Sequence, residues 1–138
     1  MNPDVWGVFH DGTIEALSRP APGVVQVRVS ILYLREMFPE AGDCFLVTLH
    51  GCSRFRYRLF EGESTENLSQ IALAAPEILY VNQRPELVLL CTCGELEITY
   101  DSMAVALDTG ETVSEDQLVQ AAQRYWDGWE ATNRPPST

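Results

Sequence analysis

Between residues 24 and 32 apolar and polar positions alternate. Val25, Val27, Val29 and Ile31 fall on one side, and Gln26, Arg28 and Ser30 on the other. A period of two is that of a strand with one buried and one wet face, the mark of an antiparallel sheet. Residues 44–50 repeat it, with Phe45, Val47 and Leu49 on one parity. Residues 53–60 put Phe55, Tyr57 and Leu59 on one parity and Arg54, Arg56 and Arg58 on the other. His50-Gly51 between them reads as a tight turn, so the two segments are expected to form a hairpin.

The remaining pattern is strand-rich as well. Residues 5–17 suggest a first strand, interrupted near Asp11-Gly12, and Pro20, Pro22 and Gly23 mark a turn. Residues 33–38 fit one helical turn closed by Pro39. Residues 68–75 fit a short helix or a strand, ended by Pro76. Residues 78–81 form a short strand and residues 82–85 a turn. Residues 87–93 are an almost unbroken apolar run, followed by strands over 95–100 and 103–107. These last three read as a meander.

A change of period near the C-terminus gives the clearest helix. Ser114 and Gln117 have the spacing of a capping box, flanked by Val113 and Leu118 at the staple positions. Glu115 and Asp116 suit the positive end of the helix dipole. Leu118, Ala122, Tyr125 and Trp129 recur at helical spacing over residues 115–130, with Val119 and Trp126 widening the stripe. That face must cover something, and the sheet is the large candidate. The expected fold is α+β: mainly antiparallel sheet in hairpins and meanders, about six to eight strands, with a C-terminal amphipathic helix packed on it. Residues 1–132 are expected to be one domain and residues 133–138 a disordered tail.

Composition narrows function. The 138 residues carry a net charge of −11 and a pI near 4.4. Such a surface repels phosphate backbones, so nucleic acid is not an expected partner, whereas a basic protein or a second copy of the chain is. No apolar run approaches the roughly 20 residues of a membrane span, and the N-terminus lacks a signal-peptide pattern. Location is expected to be cytoplasmic. All nine cations are arginine. The lack of lysine reads as the genome composition of a GC-rich bacterium, and it removes Schiff-base and P-loop chemistry.

Candidate chemistry is sparse. Cys44 and Cys52, and Cys91 and Cys93, are spaced unlike zinc knuckles. Reduced, buried cysteines are the expectation and a four-thiolate metal site the alternative. His10-Asp11 has the residues of a metal-binding pair, but only one other histidine, His50, exists to complete a ligand set. Either residue suits a turn near Gly12. A Cys52–His50 pair lacks an orienting third group. Glu95 with Glu97, and Asp108 with Glu111, read as solvated acids. No catalytic residue, metal or cofactor is assigned. An enzyme of unknown reaction stays as a further alternative.

Two segments are candidates for recognition. Arg54, Arg56 and Arg58 repel one another on one strand face unless carboxylates on neighbouring strands or a partner answer them. Tyr33, Trp6 and Trp126 are candidate aromatic neighbours of that ladder. The second segment is Trp6-Gly7-Val8-Phe9-His10-Asp11-Gly12-Thr13-Ile14. It resembles the opening of small uncharacterised bacterial β-rich domains, some of them similar to immunity proteins of polymorphic toxin systems. The resemblance implies a non-catalytic binder whose acidic body masks a basic toxin surface. The candidate binding residues are therefore Arg54, Arg56, Arg58, His10, Asp11 and Trp6.

Overall fold

The computed structural model describes residues 1–82 and 86–133. The fold is α+β, as the periodicities imply, but the strands divide between two antiparallel sheets of five. Strands β1 (Thr13–Ala21), β2 (Val24–Ser30), β3 (Cys44–His50), β9 (Ser102–Leu107) and β10 (Thr112–Val113) lie side by side in that order. The second sheet runs β5 (Ser64–Thr65), β4 (Arg54–Leu59), β8 (Gly94–Thr99), β7 (Leu87–Cys91) and β6 (Ile78–Asn82).

The expected hairpin of residues 44–60 therefore does not form. β3 pairs with β2 and β9, while β4 pairs with β5 and β8. The chain changes sheets at residues 51–53, where Gly51 takes a φ of 64°, a left-handed conformation that glycine adopts without strain. The Cys52 N–H then donates to Gly23 in the first sheet and the Ser53 N–H to Thr99 in the second. A second crossing from β8 to β9 runs beside it, tied by Asp101 N–H to the His50 carbonyl. The same crossing splits the expected meander, since β7 and β8 pair but β9 belongs to the other sheet.

Residues 3–9 are a 3-10 helix rather than a strand. Asn2 caps it by accepting from the Asp4 N–H, Pro3 sits in its first turn, and Val5, Trp6 and Phe9 are buried. Pro20 falls inside β1. It is tolerated there because β1 is an edge strand. Helix α1 spans Leu32–Arg35 and α2 spans Leu68–Ala74, which settles residues 68–75 as helical. Both sheets, the 3-10 helix, Leu34 and Ile71 share one core.

Helix α3 (Glu115–Asn133) starts as its capping box requires. The Gln117 N–H donates to Ser114 Oγ at 3.1 Å and the Ser114 N–H to Gln117 Oε1 at 2.8 Å. Leu118 and Ala121 enter the core, and the helix packs against the 3-10 helix and α1. Its last turn includes Asn133, which the sequence reading placed in a tail. Residues 134–138 of that expected tail, and residues 83–85 of the expected turn, lie outside the described residues.

Candidate functional site

The arginine ladder of β4 is answered within the chain. In register, Arg56 faces Glu97 on β8. Arg56 Nη2 lies 2.8 Å from Glu97 Oε2, Arg58 Nη1 3.3 Å from Oε1 and Arg54 Nη1 3.6 Å from Oε2. Arg54 also meets Glu86 at 3.4 Å. Glu97, expected to be solvated, is buried. Burial alone raises its carboxyl pKa, but the hydrogen bonds and charges of Arg56 and Arg58 outweigh that and lower it. One carboxylate thus holds three guanidiniums on one sheet face.

A second arginine network escaped the sequence reading. Arg35 of α1 is fully buried. Its Nε and Nη2 donate to Asp108 Oδ1 at 3.0 and 2.8 Å, and Nη1 to the Glu40 carbonyl at 2.6 Å. Asp108 Oδ2 accepts the N–H groups of Asp43 and Cys44. Desolvation pushes the Asp108 pKa up, yet these donors and the guanidinium bring it down to about 2. A Cβ on Gly42 would overlap both the Asp108 carboxylate and the Arg35 guanidinium, so glycine lets the loop close over the pair. Asp43, Cys44 and Asp108 lie near enough to share a metal ion. However, the Asp108 oxygens are already spent on these donors, and the Cys44 thiol donates to Glu15 at 3.0 Å.

The cysteines do not assemble. Cys44 on β3, Cys52 in the crossing after it and Cys91 on β7 are buried, and Cys93 is exposed. Among the described residues, no group of three or more potential metal ligands contains two of them. Burial pushes the Cys44 and Cys91 thiols up to about 12 and raises Cys52 as well, which disfavours the nucleophilic thiolate. Cys52 donates to the Arg54 carbonyl while His50 stands exposed at the end of β3. The cleft beside Cys52 holds about 160 Å³, below the roughly 300 Å³ at which small-molecule pockets begin.

His10, Asp11 and Gly12 form the turn joining the 3-10 helix to β1. Asp11 adopts a φ of 70°, which Asp tolerates better than most side chains. Its N–H donates to the Ile78 carbonyl, and the Ile78 N–H to the Gly12 carbonyl, so the turn stitches β1 to β6 across the sheets. A Cβ at Gly12 would stand 2.8 Å from the Phe9 carbonyl oxygen and 2.8 Å from Val29 Cγ1. The fold accounts for the His-Asp-Gly order as a turn. Trp6 is wholly buried, its Nε1–H donating to the Tyr100 hydroxyl at 3.0 Å. It is a core residue with no surface to offer a partner.

Tyr33 and Trp126, the other two aromatics expected beside the ladder, lie at His10 instead. Trp126 of α3 stacks on the His10 ring with centroids 5.5 Å apart and planes 18° apart. Tyr125, Tyr33 and Trp129 lie 5.0, 5.9 and 5.9 Å from Trp126. The Tyr33 hydroxyl donates to the His10 carbonyl. The apolar stripe of α3 was expected to be covered, yet Trp126 is 37% exposed and Trp129 50%. The body covers the first half of the helix and the stripe runs on past it. The spacing of Tyr125, Trp126 and Trp129 was visible in the sequence, but where the body would end was not.

No helix of the described residues is long and apolar enough to cross a membrane. No protein-family model, no curated protein and no solved structure matches the chain.

Proposed function

We propose that this chain is a non-catalytic binding module whose partner is a basic protein, as the immunity-like resemblance implies. The observation that supports it is the distribution of charge. Among the described residues five arginines are ion-paired, and they engage Glu15, Glu86, Glu97 and Asp108. Those pairs leave sixteen of the 20 acidic residues outside them, against two further arginines among the described residues, Arg19 and Arg124. Cationic side chains are mostly consumed in holding the sheets, so the field presented to a partner is anionic. Such a field speeds encounter with a cationic surface and suppresses acidic competitors. A second copy of the chain brings the same excess of negative charge, which disfavours self-association.

Selection from a random-peptide display library tests this reading. Enriched peptides should carry net positive charge, and their binding should weaken steeply with added salt. Enrichment of neutral or acidic sequences, or of none, contradicts it.

A further inference from the structure

The half of α3 that leaves the body is where that partner's cations have most to gain. Trp126 is the hub of four ring contacts, to His10, Tyr33, Tyr125 and Trp129, and it remains partly open to solvent. Trp129 extends the cluster outward and is half exposed. Singly exposed hydrophobic side chains are ordinary, whereas a contiguous exposed aromatic patch marks an interaction site. The neighbouring charges are acidic. Glu130 is one turn on from Trp126, on the same helix face, and is exposed. Asp11 is half exposed, its carboxylate 3.6 Å from Nε2 of the His10 ring that stacks on Trp126, and it acts electrostatically on the Tyr33 hydroxyl. Arg124 is turned away, donating to the Met37 carbonyl at 3.3 Å. The patch thus pairs indole faces with carboxylates, the chemistry that holds an arginine or lysine by cation–π contact and charge together.

We propose that the basic partner docks on this end of α3, laying arginine or lysine side chains against Trp126 and Trp129 with Asp11 and Glu130 as counter-charges. This rests on the binding-module reading and names its surface. An anionic rim disfavours a lipid bilayer with acidic headgroups, and it equally disfavours a second copy.

The three tryptophans provide their own control. In a two-dimensional NMR titration with the peptide Gly-Arg-Gly-Arg-Gly, the indole N–H signals of Trp126 and Trp129 should move and saturate. That of buried Trp6 should stay fixed. The Trp126→Ala/Trp129→Ala double variant should bind the peptide at least about tenfold more weakly. Saturable binding that shifts other acidic segments and leaves both indoles unmoved overturns this surface while leaving the module reading intact. Absence of any saturable binding contradicts both. Two further results overturn the surface: indole shifts that depend on protein concentration alone, with a doubled mass, or indole burial on adding vesicles of phosphatidylcholine and phosphatidylglycerol.

Discussion

The two sheets and the far end of α3 treat their functional-looking side chains in opposite ways. On β4 three arginines converge on Glu97, and the buried arginine of α1 is closed onto Asp108, just past the end of β9. At the end of α3, Trp126 and Trp129 meet other rings on one side and solvent on the other. A charge ladder draws the eye in a sequence, yet within the fold each of its arginines is ion-paired to a carboxylate. The difference separates groups that hold the molecule together from groups that remain available. Variants in the sheets should change stability and spare binding, whereas variants at the helix end should weaken binding.

The largest effect is expected at the buried pair. Asp108→Ala leaves a fully buried guanidinium without its counter-ion, and should lower unfolding free energy by about 3–5 kcal/mol in denaturant titration. The pair should also show in acid. The Asp108 pKa is about 2 when folded, against an ordinary 3.8. A lowered folded pKa gives stability that is complete above the ordinary value and is lost as pH falls from about 4 towards 2. Asp108→Asn should flatten that part of the stability profile. A profile in that window unaltered by the substitution contradicts the assignment.

The same test at the ladder should give less. Glu97→Gln leaves three arginines facing one another on an exposed sheet face. It should cost about 1 kcal/mol, and added salt should relieve part of that by screening the repulsion. A cost as large as at Asp108 would erase the distinction between the two arginine sites.

How much of this was legible follows from the range of each signal. The alternation of residues 24–30 and the Ser114-Gln117 cap are local, and both appear as read. The signal for the 3-10 helix is local too: Asn2 and Pro3 mark its start and Val5, Trp6 and Phe9 have helical spacing, which the strand expected over residues 5–17 passes over. The partition into sheets was not local. β3 and β4 each have the pattern of a half-buried strand, and only the paired crossings at residues 51–53 and 100–101 send them to different sheets. For the same reason Arg54, Arg56 and Arg58 were visible while Glu97 as their common partner was not. His10 and Trp126 were each noted, but their stacking depends on where α3 docks.

The smallest effect expected is a gain. Ala75 ends α2 with a φ of 47°, a left-handed conformation that glycine takes at less cost. Ala75→Gly should stabilise the fold by about 0.5–1 kcal/mol, seen as a higher melting temperature, with no effect on partner binding. A loss of stability would mean that the methyl group outweighs the backbone strain.

Isothermal titration of a display-selected basic peptide into three proteins tests the central claim most directly. Wild type and Arg56→Gln should bind with equal affinity. Trp126→Ala/Trp129→Ala should bind at least about tenfold more weakly while still unfolding in one cooperative transition, at a melting temperature lowered by the lost ring contacts of Trp126. Affinity unchanged in the tryptophan variant, or lost instead in Arg56→Gln, would contradict the account.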